Sequence, residues 1–233
     1  MLKRICVILP GYNVAHSIGP LIRQIKAMGL DVVMVDDGSA DQTAKTATEA
    51  GARVLSHIRN QGKGTTLRAG FAYALQAGYD MVITLDSDGQ HDPNDIPRLL
   101  EEAQQPHAGV VIGNRLDGFA AAMPPVRRWT NRAMSFVVSA VAGQRIPDSQ
   151  SGFRVIPKEV LIAVPLFTRH FEIETELLLA ASRAGWKVTS IPIHAIYDVR
   201  QRSYIHPVRD GVRFVCLVLR YLWRPRAKSR HGV

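Results

Sequence analysis

The sequence predicts an α/β fold built on a Rossmann-like, mainly parallel sheet that is flanked by helices. Short β-branched runs alternate with helical patterns through the first half of the chain, which is the order typical of parallel strands joined by helices. Polar loops that contain glycine follow the first, second and fourth runs, at the end of the sheet where ligands bind in such folds. The 233 residues, 46% of them hydrophobic and 21% charged, can bury one sizeable core.

The expected elements follow in chain order. Strands at Ile5–Leu9, Val32–Val35, Arg53–Ser56, Met81–Leu85 and Val110–Ile112 alternate with helices at Ser17–Met28, Gln42–Ala50, Lys63–Gln76 and Asn94–Ala103. The rhythm changes at 116–145, where a loop with Pro124 and Pro125 precedes a helical segment at Val126–Ala142 and interrupts the sheet. The remaining elements are a strand at Phe153–Ile156, a helix at Glu172–Ala184, a strand at Lys187–Ile191 and a last helix from Pro207.

Charge and cysteine content narrow the setting. The formal net charge is +9, and residues 198–233 carry nine Arg and Lys against two Asp, so most of the excess lies in a basic C-terminal segment. Cys6 and Cys216 lie in separate apolar runs, which predicts neither a disulfide framework nor a metal site and favours a reducing, cytoplasmic setting. We expect no signal peptide and no membrane-spanning segment, because no apolar run reaches roughly 18 residues.

Asp86 and Asp88 directly follow the apolar run Met81–Leu85, so both carboxylates are expected at the edge of the sheet. Mg²⁺ and Mn²⁺ prefer oxygen ligands and keep positions open for phosphate oxygens. With the amide of Gln90, the two carboxylates suit a cation that bridges a diphosphate. Asp92, which is followed by a proline, is expected to cap the next helix.

Two further loops have a nucleotide-binding character. Asp37 ends the second strand, where an acid can accept hydrogen bonds from a ribose or a base, whereas Ser39 or Asp41 is expected to cap the helix that follows. Lys63 lies at a helix start between two glycines, which let the backbone approach a phosphate or a base edge closely.

Taken together, these motifs resemble those of family 2 glycosyltransferases of the GT-A fold, and within them those of the dolichol- or polyprenol-phosphate mannosyl- and glucosyltransferases. The resemblance covers about residues 3–200. It rests on residues 10–13 (PGYN), 36–39 (DDGS), 60–64 (NQGKG), 86–90 (DSDGQ), 113–115 (GNR), 148–154 (DSQSGFR) and 171–176 (FEIETE).

The resemblance implies an inverting, metal-dependent transfer from a donor such as GDP-mannose or UDP-glucose. It implies a catalytic GT-A domain at 1–200, followed by a basic amphipathic helix and tail at 201–233. The residues that it assigns to the donor are Pro10, Tyr12, Asp37, Lys63 and Asp86; those assigned to Mg²⁺ or Mn²⁺ are Asp86, Asp88 and Gln90; and those assigned to catalysis are Asp88, Arg115 and Asp148. Val14 stands where the family has an acid, which puts the nucleotide preference in doubt. The Asp148-x-Gln150-x-Gly152 pattern leans toward the glucose enzymes.

A phosphate acceptor is already anionic near neutral pH and needs only cations to position it, whereas an alcohol needs a base. Arg127, Arg128 and Arg154 are candidates to bind such a phosphate, with Arg115 and Arg132 as further cations of the same region. If the acceptor is instead a sugar or polysaccharide hydroxyl, Asp148 is the candidate base. Val14 also leaves open a nucleotide-sugar-binding protein without turnover.

The C-terminal helix has two faces. One apolar stripe contains Val208, Val212, Val215, Leu219 and Leu222, and a separate stripe contains Arg209, Arg213, Arg220 and Arg224. With Tyr221 and Trp223 near its end, this pattern is typical of a helix at a membrane surface, although packing on the core would also explain it. Ala133–Ala142 is a second lipid-side candidate, with a place in the core favoured. We therefore expect an enzyme bound peripherally to the inner face of a membrane, with a nucleotide-sugar donor and a polyprenyl-phosphate acceptor. Nucleic acid is not an expected partner, because the arginines alternate with aliphatic residues.

Overall fold

The computed structural model describes residues 3–106, 108–117, 123–194 and 206–223. Its strands are β1 (Ile5–Gly11), β2 (Asp31–Asp36), β3 (Arg53–Ser56), β4 (Met81–Thr84), β5 (Val110–Asn114), β6 (Arg154–Pro157) and β7 (Val188–Pro192). Its helices are α1 (Ala15–Ala27), α2 (Thr43–Glu49), α3 (Lys63–Gln76), α4 (Ile96–Ala103), α5 (Pro125–Ala142), α6 (Lys158–Ala163), α7 (Ile173–Arg183) and α8 (Pro207–Trp223), and a 3₁₀ turn, Pro93–Asp95, leads into α4.

The strands form one seven-stranded sheet in the order β3-β2-β1-β4-β6-β5-β7. All neighbouring pairs are parallel except those of β6, which runs antiparallel to both β4 and β5. The predicted mainly parallel α/β sheet is therefore confirmed. Because β1 lies between β2 and β4, the loops that leave these three strands emerge side by side.

Apolar side chains fill both faces of the sheet, as expected for strands with helices on each side. On one face, Ile8 and Val35 pack with Phe71 of α3 and Leu178 of α7. On the other face, Val7 and its neighbours pack against α1 and α4. Residues that are adjacent along a strand thus enter opposite cores, and this two-sided burial fixes the register of the sheet.

Two features were not predicted: helix α6 and the direction of β6, which is antiparallel. Several boundaries also differ from the expected ones by one or two residues. A helix of six residues offers too few turns for a periodic pattern, which explains why α6 was missed.

Helix α8 buries Leu217, Val218 and Tyr221, which contact the core beside α7. The predicted apolar stripe is on its opposite side and is exposed: the exposed fraction is 79% at Val208 and 48% at Leu219. Arg224 and the rest of the tail lie outside the described residues, as do residues 195–205.

Helix α5 has a polar inner face and an apolar outer face. Its buried residues are Asn131, Ser135 and Val138, whereas Trp129 and Phe136 are 72% and 76% exposed. The favoured place of 133–142 in the core therefore holds for Val138, Val141 and Ala142, which pack on the core, but not for Phe136 and the other exposed residues of this segment. Within the described ranges, no helix is long and apolar enough to cross a membrane.

Candidate active site

The site is built at the end of β4, a strand whose four residues are all buried. Asp86 follows it and accepts a hydrogen bond from Nζ of Lys63 at 2.5 Å. The same Nζ lies 2.7 Å from Oε1 of Glu174. Lys63 is the first residue of α3 and Glu174 lies in the first turn of α7, so three elements meet at one half-buried cation.

Burial and charge act together on these groups. Burial alone would lower the pKa of Lys63, but the charges of Asp86 and Glu174 outweigh it and raise the pKa. Burial would likewise raise the pKa of Asp86, yet Lys63 and His91 hold it below its usual range. Asp88 differs, because burial and the charge of Asp86 both raise its pKa. A cation between the two carboxylates would relieve their repulsion.

The residues present therefore fit a divalent cation, with the protein supplying part of the coordination. Gln90 lies beside Asp88, since its backbone N–H donates to Oδ1 of Asp88 at 3.0 Å. No group of three or more His, Cys, Asp or Glu side chains that could hold a metal occurs among the residues with described positions. Two carboxylates and an amide leave positions for phosphate oxygens, which is the usual arrangement for Mg²⁺ in a phosphate site.

The loop at residues 148–153 packs against the carboxylate of Asp86. Gly152 has its backbone against Asp86, and a side chain at this position would overlap the carboxyl group. Its carbonyl accepts a hydrogen bond from Oγ1 of Thr84 at 2.8 Å, which ties the loop to β4. Only glycine allows this close approach.

Arg154 is buried and binds the backbone of the same 148–153 loop, so its side chain is not available to an acceptor substrate. It is 2% exposed, and its guanidinium donates to the carbonyls of Ser151, Glu174 and Ser149 at 2.8, 2.5 and 2.9 Å. The expectation that Arg154 binds an acceptor phosphate is contradicted by this geometry, because its donors are committed to backbone carbonyls.

Arg115 and Asp148 form a buried pair. Nε of Arg115 lies 2.8 Å from Oδ2 of Asp148, Nη2 lies 3.0 Å from Oδ1, and the backbone N–H of Arg115 also donates to Oδ2. Although burial would raise the pKa of Asp148, which is 0% exposed, Arg115 lowers it. A buried, ionised carboxylate held on both oxygens has the geometry of a positioning group and not that of a base open to substrate.

Asp37 organises the loop after β3. It accepts hydrogen bonds from the backbone N–H groups of Gln61 and Gly62 at 2.9 and 2.8 Å, and Oδ1 lies 2.8 Å from Nδ1 of His57. The proposed ribose or base contact would thus be made from a carboxylate that is already fixed in place.

The glycines around Lys63 lie against another part of the chain. A side chain at Gly62 would strike His170 and Arg169, and one at Gly64 would strike Arg169 and Thr168. At the side-chain positions of these two glycines, the close approach is therefore made by residues 168–170 of the chain itself, and the predicted contact of this loop with a ligand stays a prediction.

The β1 loop contributes Pro10 and Tyr12 to the same edge. The carbonyl of Pro10 accepts a hydrogen bond from Oγ of Ser87 at 2.8 Å, which links this loop to the carboxylate loop, and Tyr12 is half-buried. Val14 is buried in the core, so its side chain adds no polar group to the site.

One of the expected caps is present: Asp92 caps the 3₁₀ turn before α4 by accepting the backbone N–H of Asn94. Asp41 accepts the backbone N–H of Thr43 but lies one residue before the N-cap position of α2, which is Gln42 and makes no side-chain cap hydrogen bond.

Of the arginines at the start of α5, Arg127 is next to the carboxylate loop. Its Nη2 lies 3.5 Å from Oε1 of Gln90. Arg128 donates to the carbonyl of Leu116 at 3.3 Å, and Arg132 is exposed. Arg127 is thus the candidate phosphate-binding arginine that contacts a predicted metal ligand, Gln90.

No role was predicted for Glu174, His57 or His91, although Glu174 lies in the 171–176 motif. Glu174 had a usable signal, because acids on an otherwise apolar helix face are rarely buried without a cationic partner. The neighbouring buried acid, Glu176, instead accepts hydrogen bonds from the backbone N–H groups of Phe167 and Thr168. His57 and His91 gave no comparable pattern.

Comparisons with known proteins agree with this geometry. A family model, glycosyl transferase family 2, matches residues 6–164. The chain is 28% identical to UDP-N-acetylglucosamine--dolichyl-phosphate N-acetylglucosaminyltransferase of Methanococcus voltae, over 84% of this chain and 86% of that protein. It is also 28% identical to undecaprenyl-phosphate mannosyltransferase of Micrococcus luteus, over 82% of each. Among solved structures, glucosyl-3-phosphoglycerate synthase of Mycobacterium tuberculosis in complex with Mn²⁺, UDP and glucosyl-3-phosphoglycerate matches with a TM-score of 0.73 and 22% identity, over 94% of this chain and 78% of that one.

Proposed function

Because this chain belongs to glycosyl transferase family 2 and has the GT-A fold, we propose that it moves a hexose, with inversion, from a nucleotide-sugar to a polyprenyl phosphate at a membrane surface. The observation that carries the proposal is the meeting of Asp86, Asp88, Lys63 and Arg127 at one sheet edge. In the reaction, an oxygen of the lipid phosphate bonds to the anomeric carbon while the bond to the donor diphosphate breaks. The nucleoside diphosphate leaves with the electron pair.

On the donor side, Asp86, Asp88 and Gln90 would hold Mg²⁺ or Mn²⁺. When bound, such a cation neutralises charge on the departing diphosphate. Solved relatives of the fold crystallised with Mn²⁺ or Mg²⁺ and UDP support this assignment. Lys63 keeps Asp86 ionised and oriented, and Pro10, Tyr12 and Asp37 would line the nucleotide.

On the acceptor side, Arg127 would position the lipid phosphate, with Arg128 next to it on the same helix. A phosphate monoester needs no base, which agrees with a site whose candidate base, Asp148, is buried and paired. A sugar hydroxyl acceptor would need Asp148 as its base, so the pairing of Asp148 with Arg115 removes the support for that alternative. Two relatives named for dolichyl and undecaprenyl phosphate point to the same acceptor class.

The exposed apolar side chains of α5 and α8 support peripheral membrane binding. Trp129, Phe136 and Leu219 are all at least 48% exposed, and Arg209 and Arg220 lie on the exposed surface of α8. Apolar side chains beside arginines suit the headgroup region of an anionic leaflet. α5 also carries Arg127 at its start, so docking this helix would bring a lipid phosphate to the site.

The test is transfer of labelled sugar into the organic phase, with Mn²⁺, a panel of nucleotide sugars and polyprenyl phosphate in detergent. We expect one donor to be used and Asp88→Asn to abolish transfer. No transfer from any donor, or equal transfer to a soluble sugar acceptor, would contradict the proposal.

Membrane binding has a separate test. Leu219→Glu should weaken flotation with anionic vesicles without changing binding of the nucleotide. The exposed residue Ile162, on α6, offers a matched control, because Ile162→Glu places the same charge on another surface. Equal flotation of the two variants would argue against docking through α8.

A further inference from the structure

His91 is buried within the active site but has no role in the function proposed above. It is 2% exposed, and its ring centroid lies 5.6 Å from that of Phe153. Neither ring nitrogen has a hydrogen-bond partner in the part of the chain that the structure describes. Buried polar atoms without partners are rare in native proteins, because they lose water without replacing it. The unsatisfied imidazole therefore calls for a functional explanation.

An acceptor close to this ring is the carboxylate of Asp86, a proposed metal ligand. Nε2 of His91 lies 3.6 Å from Oδ2 of Asp86, which is too long for a hydrogen bond. An approach of about 0.5 Å would bring the pair into bonding range. The other oxygen, Oδ1, already receives Nζ of Lys63. His91 thus faces the oxygen that Lys63 leaves open.

The surroundings restrict where Asp86 can move. The backbone of Gly152 lies against its carboxyl group with no space for even a methyl group. Lys63 is itself fixed by Glu174, so it cannot follow a rotating carboxylate. A donor on Oδ2 would complete the restraint and fix the plane of the carboxylate.

We propose that His91 is a positioning residue for Asp86, whose Nε2–H donates to Oδ2 when that carboxylate holds the divalent cation. This rests on the proposed function, because it takes Asp86 as a metal ligand. The contact requires a hydrogen on Nε2. Outer hydrogen bonds of this kind orient ligating carboxylates and strengthen metal binding.

The test compares two substitutions in the full chain by their affinity for Mn²⁺ in the presence of saturating UDP or GDP, measured by electron paramagnetic resonance. His91→Phe keeps a planar ring against Phe153 but has no donor, and it should weaken Mn²⁺ binding about 10- to 100-fold. His91→Gln offers an amide donor at the distance of Nε2 and should stay within about threefold of the wild type. Nucleotide affinity without metal should be unchanged in both.

Equal Mn²⁺ affinity of the wild type and His91→Phe would overturn the proposal. An equal loss in both variants would also overturn it, because ring packing and not the donor would then matter. Should either variant fail to fold, a crystal structure of the wild type with Mn²⁺ and UDP decides: an Nε2–Oδ2 distance of about 3.2 Å or less supports the proposal, and a longer one refutes it. A wild type that binds no Mn²⁺ with either nucleotide would instead refute the metal assignment on which both proposals rest.

Discussion

Replacing Lys63 by methionine removes the cation that separates the half-buried carboxylate of Asp86 from the buried carboxylate of Glu174. Nζ lies 2.5 Å from Asp86 and 2.7 Å from Glu174, and the side chain is only 14% exposed. At an effective dielectric constant of about 20, each contact is worth about 6 kcal/mol before desolvation is subtracted. Since removal of one partner of a buried pair costs about 3–5 kcal/mol, we expect Lys63→Met to lower the free energy of unfolding by that amount.

The assay is urea unfolding of the metal-free protein, followed by thermal unfolding. For a chain of this length, the expected loss corresponds to a fall in Tm of about 10 °C. Adding Glu174→Gln to Lys63→Met should recover part of the loss, because it removes one of the two uncompensated charges. Lys158→Met is the matched control: Lys158 pairs with Asp80 at the surface and is 40% exposed, so its loss should leave the stability close to that of the wild type. A Lys63→Met variant as stable as that control would refute the reasoning.

Three further predictions concern the support of the site and the cysteines. Gly152→Ala should cost about 1–3 kcal/mol and weaken Mn²⁺ binding, because its methyl group overlaps the Asp86 carboxyl; unchanged calorimetric Mn²⁺ affinity would contradict this. Asp148→Ala should destabilise the protein by about 3–5 kcal/mol in urea unfolding, because it strands a buried arginine, and a cost below about 1 kcal/mol would show that the pair is not buried in solution. A thiol reagent should modify the exposed Cys216 rapidly and Cys6 only after unfolding, since burial raises the pKa of Cys6 to about 12; equal rates in the native protein would contradict its burial.

Most of the strands could be predicted, because their positions along the chain follow from local patterns. The runs that became β1 to β5 are apolar and short, and helices of regular period separate them. The antiparallel direction of β6 could not be predicted in the same way, because a strand of four residues carries no mark of its direction. That direction depends on pairing with β4 and β5, which are distant in the chain.

In the candidate site, too, some residues could be predicted from local motifs and others could not. Asp86, Asp88 and Lys63 were identified from their motifs, and the structure brings Asp86 and Lys63 into direct contact. The environment of Arg154 could not be read from its motif, because its partners are backbone carbonyls and any residue type can supply those.

For α8, the sequence predicted the two faces of the helix but not which face packs on the protein. The inner side is set by Leu217 and Tyr221, whose neighbours come from the core beside α7. An amphipathic pattern therefore indicates two faces without saying which one the rest of the chain covers.

The most direct test of the central claim is the chemical form of the lipid phosphate after reaction. Polyprenyl phosphate is incubated with Mn²⁺, the accepted nucleotide-sugar and either the wild type or Asp88→Asn, and the lipid is examined by ³¹P NMR and mass spectrometry. We predict that the wild type converts the phosphate monoester to a sugar phosphodiester over many turnovers and that Asp88→Asn leaves it unchanged. A monoester that persists with the wild type, or equal conversion by the variant, would contradict the assignment of this site.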